Sequence, residues 1–240
     1  MLLFVIVLLL FVIVLINFNF NCHSFLMNNK QKLLKIQPVK IKDIYNQLDS
    51  GDIFLTCNTK CNIINAIQNA FTHTRFTHCG IICIVNDMKY IFESYGSKVF
   101  NDEYHYGFYQ SEKDIKSSGV IMSPILTRLS NTNLNDNIVV LCHLKIPTQH
   151  NLIKKICLAA RENIEYPDNF NFMLQYITSA LKLPADTFRK MSKLHCYQFV
   201  SLVLDLVGII PGIYNKSFSD VERIIYDYVI SNSTMYRIVN

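Results

Sequence analysis

The sequence lacks several features by which other classes of protein are recognised. Only 17% of the 240 residues are charged, the net charge is a modest +5, and no stretch concentrates lysine or arginine. Domains that bind nucleic acid usually carry such a basic stripe, so we expect no nucleic-acid partner. Half of the residues are hydrophobic, which excludes general disorder and leaves ample material for a buried core.

Tryptophan is absent altogether, whereas asparagine and isoleucine are unusually frequent. This bias resembles the products of AT-rich coding genomes, such as those of some large DNA viruses and parasites. It bears on the origin of the chain and says nothing about its chemistry.

The cysteines lack the dense spacing of a disulfide scaffold. They occupy positions 22, 57, 61, 79, 83, 142, 157 and 196. The pairs Cys57/Cys61 and Cys79/Cys83 lie near histidines, and a zinc-stabilised interaction module is therefore one alternative interpretation. Because the spacing is not that of paired zinc knuckles, we expect small buried thiols, no metal and no cofactor.

An uncharged apolar run extends from Met1 to Ile16. It predicts a membrane-directed leader over residues 1–27, a polar tether over 28–37 and a single globular domain over 38–240. The run lacks the basic residues and the clear cleavage site of a secretory signal, so we expect an uncleaved anchor, with secretion after cleavage as the alternative. Lysines follow the run, which predicts a domain facing the cytosol. If the chain is viral, as its composition suggests, the membrane would be that of the host cell or the virion.

Hydrophobic periodicity predicts a chain of strands and helices. Strands are predicted over Ile53–Thr56, His78–Val85, Met88–Ser94, Gly119–Leu126 and Ile138–Ile146, and helices over Val39–Leu48, Cys61–Phe71, Leu152–Ile164, Phe170–Leu181 and His195–Val207. These elements indicate an α+β fold in which a small antiparallel sheet or barrel of about five strands packs against the last helix. The stretch Phe100–Ser118 is predicted to be a long loop bordering a binding site.

Cys196 lies in the first turn of the last predicted helix. Apolar residues at 199, 200, 203 and 207 form one stripe along it, and Gly208 ends it. The N-terminus of a helix carries partial positive charge that stabilises a thiolate, which makes Cys196 a candidate nucleophile. An isolated cysteine at such a position is more often a small buried residue, so the assignment depends on a nearby base.

The predicted hairpin supplies that base. If residues 86 and 87 form a two-residue turn, Gly80 faces Glu93 on the opposite strand. Glu93 is then the diagonal neighbour of His78 on the same face, at a Cβ separation of roughly 7 to 8 Å, whereas a three-residue turn would send it to the other face. We therefore predict that Glu93 orients the His78 imidazole and leaves its other nitrogen to face the Cys196 thiol.

Asp52, His195 and the segment Tyr104–Tyr109 are further candidates. Asp52 precedes the first predicted strand and is interpreted as a turn or capping residue. His195 adjoins the nucleophile, but successive residues of a helix point about 100° apart, so we expect no direct role for it. The tyrosines are a candidate floor for an apolar substrate groove, although loop aromatics commonly just pack down.

Short motifs occur in a characteristic order between residues 48 and 210. They are Ser50-Gly51-Asp52-Ile53-Phe54, Phe76-Thr77-His78-Cys79-Gly80-Ile81, Ile91-Phe92-Glu93-Ser94, Tyr166-Pro167-Asp168-Asn169-Phe170 and His195-Cys196-Tyr197-Gln198-Phe199-Val200. Together they resemble the permuted NlpC/P60 papain-like superfamily, which includes bacterial YiiX-like proteins, poxviral relatives and lecithin retinol acyltransferase-like enzymes. Thr77 stands where the family commonly has serine, and Tyr197-Gln198 replaces smaller or acidic residues, which leaves the acyl pocket undefined.

The resemblance implies a circularly permuted papain-like fold with Cys196, His78 and Glu93 as the catalytic set. It implies a thiol-dependent acyl hydrolase or acyltransferase that cleaves an amide or ester through a Cys196 acyl-enzyme. The substrate would be a peptide, a protein conjugate or a lipid, and the N-terminal segment would provide membrane contact. The alternative is a catalytically inactive, membrane-anchored scaffold that retains the fold.

Overall fold

The structure, a computed structural model, describes residues 28, 30–59, 74, 76–95, 119–130, 132–145, 149–165 and 193–239. Its strands are β1 (Pro38–Lys40), β2 (Ile53–Asn58), β3 (His78–Val85), β4 (Met88–Tyr95), β5 (Gly119–Pro124), β6 (Asn137–Leu144) and β7 (Ser233–Val239). Its helices are α1 (Ile41–Ile44), α2 (Ile125–Ser130), α3 (His150–Asn163), α4 (Cys196–Leu206) and α5 (Phe218–Asn232), with short 3₁₀ helices at Tyr45–Gln47 and Ile213–Asn215.

The fold is α+β and is built on one mixed sheet of seven strands. The strands follow the order β1-β7-β6-β2-β3-β4-β5, and neighbours are antiparallel except for the pair β1 and β7. The expectation of a small antiparallel sheet or barrel of about five strands is therefore corrected. The two additional strands, β1 and β7, lie at one end of the sheet and pair with each other although nearly the whole sequence separates them. A local sequence pattern therefore does not predict them.

Two layers of helix cover the sheet because successive side chains of each strand point to opposite faces. One core joins residues of β2, β3, β4 and β6 to apolar residues of α3, α4 and α5. A smaller core on the other face joins the same strands to α1 and α2. The strands of the sheet centre are consequently buried on both faces, and helix α4 rests on β3 and β4.

Most predicted elements of the described residues are present, and two of them change type along part of their length. The strand predicted over Gly119–Leu126 ends at Pro124, and helix α2 begins at Ile125. Proline lacks the backbone N–H that a ladder needs, which accounts for the end of the strand there. The helix predicted over Val39–Leu48 is divided into β1, α1 and a 3₁₀ turn, because pairing with β7 extends its first residues.

The segment predicted as a tether contacts the domain. Residues 30–34 are helical, and Leu33 is only 1% exposed within the larger core. The leader 1–27, the loop Phe100–Ser118 and the predicted helices Cys61–Phe71 and Phe170–Leu181 lie outside the described residues. Among the helices of the described part, none combines the length and the apolar character needed to cross a membrane.

Candidate active site

Helix α4 places Cys196 at its first position. The preceding residue, His195, has an extended backbone and caps the helix, and its N–H donates to Gln198 Oε1 at 3.4 Å. Two contacts hold this end of the helix against the sheet: Tyr197 Oη donates to the carbonyl of Phe76 at 3.2 Å, and the hydroxyl of Ser94 donates to the carbonyl of Leu194. The Cys196 sulfur is thereby fixed near the ends of β3 and β4.

The hairpin β3–β4 brings His78 and Glu93 together in the predicted register. Asn86 and Asp87 both have positive φ, 49° and 63°, as a type I′ turn requires, and Val85 pairs with Met88. His78 Nε2 lies 2.8 Å from Glu93 Oε2. The predicted contact is therefore present, and the two-residue turn is confirmed.

Cys196 and His78 lie close enough across the interface between helix and sheet for each to shift the pKa of the other. Because Nε2 of His78 is held by Glu93, Nδ1 is the ring nitrogen left for the sulfur. Burial alone would lower the pKa of His78, but the charge and hydrogen bond of Cys196, followed by those of Glu93, raise it to about 9. The structure thus joins the predicted nucleophile, base and carboxylate in one chain of contacts.

The Cys196 thiol is only 6% exposed, and burial alone would raise its pKa. A hydrogen bond with Cys79, the positive charge of His78, and hydrogen bonds with His195 and His78 together lower its pKa well below the usual range. Burial and the neighbouring Cys196 charge raise the pKa of Cys79, so Cys79 remains a thiol that can donate. These interactions favour the thiolate form of Cys196.

His195 acts on the Cys196 sulfur, although the helical periodicity suggested otherwise. Its side chain is fully buried and is one of the groups that lower the pKa of Cys196. The expectation that it points away is corrected, because His195 is the N-cap residue with φ −89° and ψ 178° and does not follow the 100° rotation of helical residues. It adds a second imidazole to the surroundings of the thiolate.

Arg128 on helix α2 is a part of the site that the sequence interpretation missed. Its Nε donates to Glu93 Oε1 at 2.6 Å, and Nη2 donates to Glu93 Oε2 at 3.2 Å and to Tyr95 Oη at 2.9 Å. Burial alone would raise the pKa of Glu93, but the Arg128 charge and then the contact with His78 hold it below its usual range. The Tyr95 ring in turn lies 4.4 Å from the His78 ring, centroid to centroid.

A signal for Arg128 is present in the sequence. Helical spacing places Arg128 on the same face as Ile125 and Leu129, and all three are buried. A buried arginine needs a buried anion as its partner. Glu93, an acid within a predicted apolar strand, is a candidate for that partner. The signal was hidden because the strand predicted through Leu126 obscured the helix.

Asp52 has the structural role that its position suggested. It is 1% exposed and accepts hydrogen bonds from the backbone N–H of Asp49 at 2.7 Å and of Leu144 at 2.9 Å. His143 Nδ1 lies 2.9 Å from its Oδ2. Burial raises the pKa of Asp52 in spite of these contacts. Asp52 therefore ties the start of β2 to the end of β6.

The cysteine pairs that suggested zinc have other partners where the structure describes them. Cys79 contacts Cys196, and Cys83 contacts Cys157 on α3. Within the described ranges, no group of three or more histidine, cysteine or acidic residues could hold a metal ion. Cys61 and the motif Tyr166–Phe170 lie outside those ranges, as does the segment Tyr104–Tyr109.

Comparison with known proteins identifies no family for this chain. No family model matches it, and neither does any curated protein. Among solved structures it is similar to "metalloprotein yiiX" of Escherichia coli O157:H7, described as DUF1105, with 15% identity over 67% of each chain and a TM-score of 0.42. The site is therefore interpreted from the contacts of its own residues.

Proposed function

We propose that the chain is a thiol-dependent acyl hydrolase or acyltransferase in which Cys196 is the nucleophile. The observation that carries the proposal is the contact of a helix-start sulfur with an imidazole whose far nitrogen is 2.8 Å from a fully buried carboxylate. A nucleophile, its base and a group that orients the base are the three parts of this kind of catalysis. Their order along the chain, His78, Glu93 and then Cys196, is that of a circularly permuted papain-like enzyme.

The contacts support a covalent mechanism. The Cys196 thiolate attacks the carbonyl carbon of an amide or ester, and the negative oxygen that forms is bound by the backbone N–H of Cys196 at the helix N-terminus. The His78 imidazolium donates its Nδ1 proton to the departing amine or alcohol, which leaves Cys196 acylated. Water, or a second acceptor, then attacks the acyl-enzyme with His78 as base and releases the thiolate.

Glu93 acts on the orientation and charge of the imidazole. As a carboxylate it can only accept, so Nε2 of His78 must be the nitrogen that donates to it. This fixes Nδ1 toward the sulfur and stabilises the imidazolium while the proton is held there. Substrates of the proposed reaction are peptides, protein conjugates or lipids, and the leader 1–27 would bring the domain to a membrane.

An electrophilic activity probe tests the proposal on the full-length chain. A fluorescent iodoacetamide should label Cys196 at neutral pH, and Cys196→Ser and His78→Ala should each remove or sharply reduce that labelling. Cys142→Ser is a matched control because Cys142 is buried in β6 and burial raises its pKa. If Cys196 is no more reactive than Cys142, the chain is a scaffold and the enzyme proposal fails.

A further inference from the structure

Arg128 occupies the centre of a buried polar cluster that reaches the imidazole from two directions. Its guanidinium bonds both oxygens of Glu93 and the hydroxyl of Tyr95, and Nη1 donates to Thr132 Oγ1 at 2.6 Å. The Arg128 side chain is 8% exposed and that of Glu93 is fully buried. Arg128 is linked to His78 in two ways. The Glu93 carboxylate contacts both residues, and the Tyr95 ring, whose hydroxyl accepts from Arg128, lies against the His78 ring.

Burying the Arg128 guanidinium costs hydration free energy. Stabilisation of the fold alone is therefore a poor explanation for its position. A buried ion pair loses so much hydration that well-packed apolar residues of similar volume often replace it without loss of stability. Apolar surroundings are available here, because the guanidinium carbon lies 5.2 Å from the centre of the Phe54 ring and Ile125 and Leu129 are buried on the same helix. The arrangement therefore points to a requirement for orientation.

We propose that Arg128 is a positioning residue for His78. By hydrogen-bonding both Glu93 and Tyr95, it fixes the plane of the imidazole and keeps a proton on Nε2, the nitrogen that donates to Glu93. The inference rests on the proposed function, since it concerns the same base. Arg128 acts through its two neighbours, and the forked guanidinium suits this task because it presents several donors in one rigid plane.

The physical reason concerns what Glu93 would do without Arg128. A fully buried carboxyl with fewer donors is more easily protonated, because burial disfavours its charged form. A protonated Glu93 would donate to Nε2 of His78, and a neutral imidazole would then carry its proton on Nδ1. That tautomer presents an N–H to the sulfur and has no lone pair with which to take a proton from a thiol. Arg128 excludes this state by keeping Glu93 an acceptor.

Several groups besides Arg128 act on this equilibrium from the elements packed around Glu93. His78 faces it from β3, Tyr95 belongs to its own strand, and Cys79 and Cys196 are electrostatically linked to the same cluster. Tyr95 is held as a neutral phenol because burial raises its pKa. Arg128 differs from these groups because it is a cation that bonds both Glu93 oxygens. Its removal should therefore change the charge of Glu93 in a way that removal of the others does not.

The test compares Arg128→Met, which keeps bulk and removes charge, with Arg128→Lys, which keeps charge and loses the fork. The full-length chain is alkylated with iodoacetamide across a pH series, and the ring nitrogens of ¹⁵N-labelled histidine are followed by NMR. In Arg128→Met the midpoint of Cys196 alkylation should rise by about 1 to 3 pH units, the range over which an opposite charge shifts a carboxyl group. Its His78 signals should change from the imidazolium pattern, with both ring nitrogens protonated, to the pattern of a neutral ring protonated on Nδ1.

Arg128→Lys should keep a midpoint closer to that of the unaltered chain and lose several-fold in maximal rate, since a point charge cannot hold Glu93 and Tyr95 together. Arg223→Met is the matched control, because Arg223 is an exposed arginine of α5 that pairs with Asp220. Its midpoint and His78 signals should not move.

The proposal is overturned if Arg128→Met keeps both the alkylation midpoint and the His78 nitrogen pattern. If Arg128→Met does not fold, Arg128→Lys decides: a midpoint, a maximal rate and His78 signals all equal to those of the unaltered chain would contradict the proposal. The two proposals fail differently. If Cys196 of the unaltered chain has the reactivity of an ordinary thiol, the proposed enzyme function is wrong. The NMR pattern would still show whether Arg128 determines the protonation of His78.

Discussion

A buried thiol ordinarily stays protonated, because a low-dielectric interior disfavours the thiolate. Cys196 is only 6% exposed, yet its interactions with Cys79, His78 and His195 lower its pKa. The other described cysteines are also buried and free. At the scale of single residues, the direction of the Cys196 pKa shift is therefore set by its neighbours and not by its exposure.

Cys196→Ser should abolish turnover and leave the free energy of unfolding within about 1 kcal/mol, because the change is nearly isosteric and leaves little cavity. Iodoacetamide should alkylate Cys196 faster than the other cysteines, with a pH midpoint below the roughly 8.5 of a free thiol. His78→Ala should raise that midpoint. Slow alkylation combined with a large loss of stability in Cys196→Ser would mean that Cys196 is a packing residue.

Glu93→Gln should lower turnover less than His78→Ala, because an amide oxygen can still accept from the imidazole. The Arg128 contact adds a second effect, since the amide leaves a buried guanidinium without its anion and should cost about 3 to 5 kcal/mol of stability. Steady-state rates and urea unfolding of both variants measure the two effects separately. Equal and complete losses of turnover would assign Glu93 a different role.

The pH dependence of turnover should show an alkaline limit near the pKa of His78. Because Cys196 and Glu93 raise that pKa to about 9, the imidazolium persists below this pH and loses its proton as the pH rises through it. Turnover needs that proton for the leaving group and should fall there, whereas alkylation of the thiolate should continue. A turnover limit near the roughly 6.5 of an ordinary histidine would contradict the ion pair.

Residues of the site differ in how far the sequence could predict them. Glu93 was accessible because one turn and strand alternation fix its relation to His78. Arg128 lies 35 positions further along the chain, and its contact depends on how α2 is placed on the sheet. His195 was misjudged for a local reason, since the cap residue does not share the geometry of the helix it begins.

At the scale of elements, the hairpin β3–β4 carries both the base and its carboxylate, and Gly80 makes their approach possible. A Cβ on Gly80 would lie 2.8 Å from the carbonyl oxygen of Phe92 and 3.0 Å from Cγ of Glu93. Real side chains do not come this close, so the strand or the Glu93 side chain would have to shift.

Gly80→Ala should therefore slow the alkylation of Cys196 and cost about 1 to 3 kcal/mol through overpacking. Gly212→Ala is the control: Gly212 has φ +76° with open space around it, so alanine there should cost about 1 to 2 kcal/mol of backbone strain without touching the site. Chemical unfolding and the alkylation rate distinguish them. Normal alkylation in Gly80→Ala would show that Glu93 is not confined by the opposite strand.

Local elements were predictable and distant pairings were not. The turn at Asn86 and Asp87 and the apolar strands beside it specify the hairpin within a few residues. Strand β1, by contrast, has three residues and is a strand only because β7 lies beside it, nearly 200 residues later. The amphipathic pattern that follows Pro38 therefore suggested a helix.

At the scale of the whole molecule, the burial of Leu33 leads us to expect that the folded unit begins before residue 38. Leu33 is 1% exposed within the main core, whereas Leu34 is 44% exposed. A chain without residues 1–27 should fold, and Leu33→Ala in that shortened chain should cost about 2 to 5 kcal/mol because it empties a buried site. Leu34→Ala should change stability by less than about 0.5 kcal/mol. Urea unfolding measures both changes in the free energy of unfolding. If the two changes are equal, residues 28–37 are a tether that does not pack into the core.

The alternating line of Arg128, Glu93, His78 and Cys196 also has a consequence for ionic strength. Its charges cancel within the site, so the +5 of the chain is carried elsewhere on the molecule. Mobile ions screen exposed charges and have much less access to buried ones. Raising sodium chloride from about 0.05 to 1 M, a change that shortens the Debye length several-fold, should therefore leave the rate with neutral iodoacetamide nearly constant. The rate with anionic iodoacetate should fall over the same range, because salt weakens its attraction to a positively charged protein and leaves the thiolate itself unchanged.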